Sequence, residues 1–247
     1  MADKTVGIIP ARLGSTRLAQ KVLRPLNGRP MIQHVWERAK QARALKDLWI
    51  ACDDERVEAC VKGFGGKAMM TRKDHPNGTS RLAEAVQKIE AEVVVNIQGD
   101  EPLIDPRNID LVAEAFGKHP ESQVVTLGVR KTDREEYENP NVVKVVCNAL
   151  GNALYFSRSP VPFFRDQDAP LSYLKHLGIY GYRRGFLLEF VTWKPAALEE
   201  TEKLEQLRIL DRGVALRVVE SPYDSFSVDT EEDVAVVESR LRTVIKP

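Results

Sequence analysis

The chain has 247 residues, 43% of them hydrophobic and 29% charged, a balance that excludes a disordered polymer and leaves room for one large α/β core. Its 36 Lys and Arg cancel its 36 Asp and Glu, so the sequence carries no electrostatic footprint for nucleic acid or an anionic membrane. An anionic ligand must therefore be held by a local cluster of basic groups. No apolar stretch reaches the roughly 18 residues of a membrane span, and no leader-like segment precedes the first strand. Cys52, Cys60 and Cys147 lack metal-ligand spacing, and free thiols in a cytoplasmic protein are expected.

The first half alternates β-type and helical patterns, the mark of a parallel sheet built from βαβ units. Val6-Gly7-Ile8-Ile9 predicts a buried strand ended by Pro10. Pro30 to Leu45 carries Met31, Ile32, Val35, Trp36 and Ala39 at helical spacing. A strand over residues 48–52, a helix from Glu55 to Phe64 closed by Gly65-Gly66, and a strand from Lys67 to Met70 follow. Next come a helix from Ser80 to Ile89 and the almost wholly β-branched strand Val93–Ile97, suited to the centre of a sheet.

The second half is less regular. Strands are expected over 124–129, 142–146 and 153–157, a loop or arm over 159–171, a helix over 198–211, a strand over 214–219 and a closing helix over 231–244. These elements predict one doubly wound, mostly parallel α/β domain over residues 1–247, with a partly antiparallel insertion at about 125–195.

In such a sheet, ligands sit beyond the carboxyl ends of the strands. After the first strand comes Pro10-Ala11-Arg12-Leu13-Gly14-Ser15-Thr16-Arg17, with Lys21 close behind. Backbone amides in a glycine-bearing turn and guanidinium forks suit polyphosphate oxygens. The spacing is neither a Walker motif nor a dinucleotide fingerprint, and composition alone does not separate this loop from a solvated basic one. After Val93–Ile97 comes Gln98-Gly99-Asp100-Glu101-Pro102, where carboxylates at the mouth of a buried strand call for a partner or a hard cation such as Mg²⁺. An ordinary acidic turn would read the same. Asp229-Thr230-Glu231-Glu232-Asp233 is a sound helix start with acidic residues in its first turn.

These segments resemble the 3-deoxy-manno-octulosonate cytidylyltransferase (CMP-Kdo synthetase) family along nearly the whole chain. The resemblance lies in Ile8-Ile9-Pro10-Ala11-Arg12, Gly14-Ser15-Thr16-Arg17-Leu18, Asn96–Pro102, Asn139–Val146, Ala153–Arg158, Lys175–Arg183, Leu204–Arg208 and Val228–Asp233, in that order. It implies a Rossmann-like nucleotidyltransferase fold and transfer of CMP from CTP to the anomeric hydroxyl of Kdo, with release of pyrophosphate. Arg12 and Lys21 would hold the CTP phosphates within a nucleotide site formed by Pro10, Ala11, Leu13, Gly14, Ser15 and Thr16. Thr71, Arg72, Arg81 and Gln98 would surround the nucleoside. Asp100 and Asp229 would be the Mg²⁺ ligands, and with Arg12 and Lys21 they form the catalytic set. Arg158, His176, Tyr182, Glu205 and Gln206 would line the sugar-acid pocket.

The resemblance further implies a homodimer joined through the inserted section and a product that feeds lipopolysaccharide core synthesis. Against the family pattern, Ala19-Gln20 and Val22 flank Lys21 in place of Pro-Gly and Pro, and Ser80 stands where an acidic residue precedes Arg81. A related sugar acid, such as 8-amino-Kdo or a sialic-acid type, is the alternative substrate. A nucleotide-binding regulator without turnover is the alternative function. His34, His75 and His119 read as surface or helix residues.

Overall fold

The computed structural model describes residues 4–14, 18–166 and 170–244. Strand β1 (Thr5–Ala11) is buried along most of its length. It continues past the predicted stop at Pro10, because the ladder to its neighbour on one side has already ended at Ile8 and no donor is needed there. A single 3-10 turn (Lys21–Leu23) leads to a short hairpin, β2 (Pro25–Leu26) and β3 (Arg29–Pro30). Its Asn27-Gly28 turn has φ of 46° and 81°, the geometry that suits a tight hairpin.

Helix α1 (Met31–Ala39) stops short of the predicted Leu45, since Gln41 N and Ala42 N close turns on Arg38 O and Ala39 O and the helical ladder is not continued. Strand β4 (Asp47–Cys52) precedes α2 (Glu55–Gly63), which is capped by the Asp54 side chain on Arg56 N. Gly65 N to Lys62 O and Gly66 N to Val61 O end it in a Schellman arrangement. Strand β5 (Lys67–Met70), α3 (Gly78–Gln87) and β6 (Val93–Asn96) follow. Helix α4 (Pro106–Lys118) is not among the predicted elements, although Asp105 caps Arg107 N and Pro106 opens the first turn.

Strand β7 (Val124–Lys131), α5 (Arg134–Glu138), β8 (Lys144–Cys147) and β9 (Ala153–Ser157) come next. They lead to β10 (Tyr173–Arg183), α6 (Arg184–Phe190), α7 (Ala197–Glu202), α8 (Leu207–Asp211), β11 (Leu216–Glu220) and α9 (Glu231–Val244). Neither β10 nor α6 is among the predicted elements. The single helix predicted over 198–211 is two: Lys203 turns left-handed at φ 54° and Leu204 N returns to Glu199 O. Glu205 and Gln206 occupy the break.

Among the described residues all the strands except the β2–β3 hairpin form one nine-stranded sheet with the order β11-β7-β10-β6-β1-β4-β5, in which β8 pairs with β10 and β9 with β8. Every pairing along that path is parallel except those of β10, which is antiparallel to β6 and to β7. The fold is thus the mostly parallel α/β sheet with a partly antiparallel section that the sequence predicts. Residues Tyr180–Arg183 of β10 pair with β6, whereas Leu174 and Lys175 pair with β8.

Successive strand residues bury on opposite faces. Ile8, Val94 and Tyr182 pack with Leu82 of α3, Phe186 of α6 and Leu207 of α8. Ile9, Ile50 and Val95 pack with Ile32 of α1, Val61 of α2 and Val112 of α4. A smaller cluster of Leu18, Leu26 and Met31 with Val228, Val237 and Leu241 fastens α9 onto the N-terminal segment. Within it, the His34 ring is buried and its Nε2 lies 2.9 Å from Leu26 O.

Candidate active site

The carboxyl ends of β1 and β6 open onto a cleft of about 260 Å³ whose lining includes Pro10, Arg12, Lys21, Gln98, Asp100 and Asp229. Two glycines let the backbones crowd together there. A Cβ at Gly99 would stand 2.9 Å from Pro10 O, and one at Gly78 3.2 Å from Pro10 Cγ. The cleft floor is therefore set by backbone packing around Pro10.

At one end the Lys21 ammonium joins two carboxylates, 2.7 Å from Asp100 Oδ2 and 2.9 Å from Asp229 Oδ1. Val228 N donates to Asp100 O at 2.9 Å, tying the turn after β6 to the approach to α9. Asp233 Oδ2 accepts from Asp229 N and Thr230 N, and Thr230 Oγ1 accepts from Asp233 N, so a capping box fixes the start of α9. Two oxygen donors converging on one cation are the chemistry a hard divalent ion takes, and the pair fits Mg²⁺. Among the described residues no group of three or more His, Cys, Asp or Glu surrounds the spot. Ligand phosphates and water would complete the coordination. Glu101, by contrast, turns inward, is hydrogen-bonded by Ser225 Oγ, and has its carboxyl pushed up to about 7 by burial.

Arg12 is exposed over the cleft, with no ion-pair partner among the described residues. The loop carrying it is held from below. Leu13 N donates to Asp53 Oδ1 at 3.0 Å, and Asp53 Oδ2 accepts from Arg81 Nη2 at 2.8 Å. Arg81, only 2% exposed, also donates to Thr71 Oγ1 at 2.6 Å, and Thr71 donates in turn to Cys52 O. The ends of β4 and β5, the start of α3 and the Arg12 loop thus share one buried ion pair. Ala11 is buried as the last residue of β1, and Gly14 reaches the cleft lining. Arg72 is largely exposed and turns toward Asp74 and Glu84. His75 bonds Glu84 at 2.5 Å and lines the cleft, an inward position the sequence does not signal. Ser15 and Thr16 lie outside the described residues.

Farther along, Gln98 Nε2 donates to Gly178 O at 2.9 Å, linking the cleft to the bulge in β10. Beyond it stand His176, Tyr180 and Tyr182, whose rings follow one another at 5.4 and 5.9 Å. Thr126 Oγ1 lies 3.0 Å from His176 Nε2, and burial holds that imidazole down to about 3. Burial also raises the Tyr182 hydroxyl and the Glu205 carboxyl. Glu205 accepts from Asn77 Nδ2 at 2.7 Å and Thr79 Oγ1 at 2.6 Å, while Asn77 Oδ1 caps α3 through Ser80 N. Gln206 is buried at the start of α8. Arg158 stands apart: its guanidinium donates to Glu202 O at 2.7 Å and Pro140 O at 3.0 Å.

Residues 6–218 match the family model for cytidylyltransferases. The 3-deoxy-manno-octulosonate cytidylyltransferase of Geobacter sulfurreducens is 47% identical over 245 residues, covering 95% of this chain and 98% of that one. The chain belongs to the 3-deoxy-manno-octulosonate cytidylyltransferase family. A solved CMP:2-keto-3-deoxy-manno-octonic acid synthetase complexed with CTP has 43% identity and a TM-score of 0.93, covering 98% of this chain and all 100% of its own. The 8-amino-3,8-dideoxy-manno-octulosonate cytidylyltransferase of Shewanella piezotolerans is also 47% identical, over 95% of this chain and 97% of its own.

For a cytidylyltransferase, the residues the sequence does not single out are the supporting ones: Asp53, His75, Asn77 and Thr79. Asp53 carries a usable signal, since it follows a strand as Asp100 does. Asn77 carries another as a cap residue ahead of α3.

Proposed function

We propose that this chain transfers CMP from CTP to the anomeric hydroxyl of Kdo, releasing pyrophosphate, in the cytoplasm and on the route to lipopolysaccharide core. The observation that carries the reading is the convergence of Lys21, Asp100 and Asp229 in the cleft that Arg12 also lines, in a chain of this family. Arg12 can fork onto phosphate oxygens, and Lys21 has three donors, so it can serve a phosphate while keeping one carboxylate. Asp100 and Asp229 would hold Mg²⁺, which when bound supplies positive charge against the phosphate oxygens. Pro10 and Gln98 provide the floor for the nucleoside, and Asp53 with Arg81 keeps the Arg12 loop in place.

His176, Tyr182, Glu205 and Gln206 would receive the sugar acid, and Arg158 would become its cationic partner by exchanging Glu202 O and Pro140 O for the carboxylate. A largely neutral imidazole takes part there as a hydrogen-bonding group that orients a hydroxyl. The chain would work as a homodimer through the section at about 125–195. Support comes from apolar side chains left exposed there: Leu150 at 70%, Leu154 at 61% and Phe163 at 81%.

The test is pyrophosphate release with CTP against Kdo, 8-amino-Kdo and a sialic acid. Fastest release with Kdo is expected. Fastest release with 8-amino-Kdo would follow the Shewanella relative instead, and no release with any sugar acid would favour a nucleotide-binding regulator.

A further inference from the structure

Strand β6 reads Val93-Val94-Val95 and then Asn96, an amide where a fourth branched apolar residue would suit the core. Asn96 is 3% exposed, and among the described residues its Oδ1 has no hydrogen-bond partner. A buried acceptor left unpaired is costly, so its retention calls for a reason outside the protein's own packing. Two donors of the same site are engaged elsewhere: Gln98 Nε2 on Gly178 O, and Thr79 Oγ1 on Glu205.

The sheet register says where this amide points. Strand alternation puts Asn96 on the same face as Val94 and Gln98, the face that Tyr182 shares. Asn96 pairs with Ile8 on one side and Tyr180 on the other, and two residues beyond Ile8 on the same face is Pro10. The register therefore places Asn96 one step below Gln98 of the cleft lining and beside Tyr180, the middle member of the ring row. Arg12 and Lys21 line the same cleft as Gln98.

We infer that Asn96 is a specificity-determining residue, whose buried amide oxygen accepts a hydrogen bond from a hydroxyl of the sugar acid. This rests on the proposed transfer of CMP to such an acid. A polyol carries the donors that the surrounding side chains do not spare, and a site that leaves its acceptor bare without the right hydroxyl discriminates strongly.

The experiment compares the full-length wild type with Asn96→Val, which extends the β-branched run, and Asn96→Ala, which only removes atoms. Pyrophosphate release is measured with Kdo and CTP varied separately, alongside thermal melting. The Michaelis constant for Kdo should rise at least ~10-fold and that for CTP stay within about 2-fold. The melting temperature of Asn96→Val should hold or rise, because the bare acceptor is gone; a merely structural amide would lower it. Unchanged constants for Kdo in folded variants, equal rises for both substrates, or loss of folding in both variants would overturn the inference. Wild type assayed in parallel separates this from failure of the activity itself, which would appear as no release before any substitution.

Discussion

Asp100 and Asp229 reach the same ammonium from distant parts of the chain, and their side chains are 33% and 35% exposed. At that exposure the ion pairs add little stability, so amide replacements should fold normally. Asp100→Asn and Asp229→Asn should nonetheless each cut turnover by about 100-fold or more, since on the proposed reading each would remove a charged ligand from Mg²⁺. Steady-state pyrophosphate release and thermal melts check the two halves of that expectation; near-normal turnover in Asp229→Asn would take that residue out of the metal site. His176 allows a pH prediction. Its folded pKa of about 3 lies below the ordinary 6.5, so the unfolded chain takes the proton first. The stabilisation is complete above pH 6.5 and lost as pH falls toward 3, with a slope of at most about 1.4 kcal/mol per pH unit. Urea melts should show wild type losing on the order of 1 kcal/mol more than His176→Gln between pH 6.5 and 5. Parallel curves would mean that the ring takes up protons while folded.

At the scale of elements, the Asp53–Arg81 pair is the joint between β4, β5, α3 and the Arg12 loop. Arg81→Met would leave Asp53 buried with no counter-charge and should cost about 3 kcal/mol. Denaturant unfolding measures it, and a loss below about 1 kcal/mol would show that Asp53 finds water instead. Elements with strong local signals were legible in the sequence: the branched runs of β1 and β6, and α2 with Asp54 before it and Gly65 behind. Strand β10 was not. Lys175, His176 and Gly178 break its apolar alternation, and it is a strand only because β6, β7 and β8 supply long-range partners. The break at Lys203 was equally hidden, since Lys has no bias toward left-handed backbone and the flanking residues favour helix. In the site, Lys21, Asp100 and Asp229 were legible through family resemblance. Supporting residues such as Asn77 act through contacts as distant as Glu205, which no local pattern encodes.

For the whole molecule, the proposed homodimer gives a direct expectation. Leu154→Asp combined with Phe163→Asp places charges in the exposed apolar patch of the inserted section. Sedimentation should show wild type at twice the mass of the double variant, and only the wild-type melting temperature should rise with protein concentration. A wild-type monomer would remove the dimer from the reading.

The bond between Lys21 and Asp229 spans 208 positions of the chain, and that separation bears on how the protein is made. Synthesis delivers the N-terminal end first, at roughly 5–20 residues per second. By the time Glu220 is added every strand of the sheet exists, yet one of the two carboxylates does not. Until α9 follows, the apolar side chains of Leu18, Leu26 and Met31 lack the cover of Val234, Val237 and Leu241. A chain ending before α9 would therefore hold every strand of the sheet while lacking both Asp229 and the apolar face that α9 lays over the N-terminal segment.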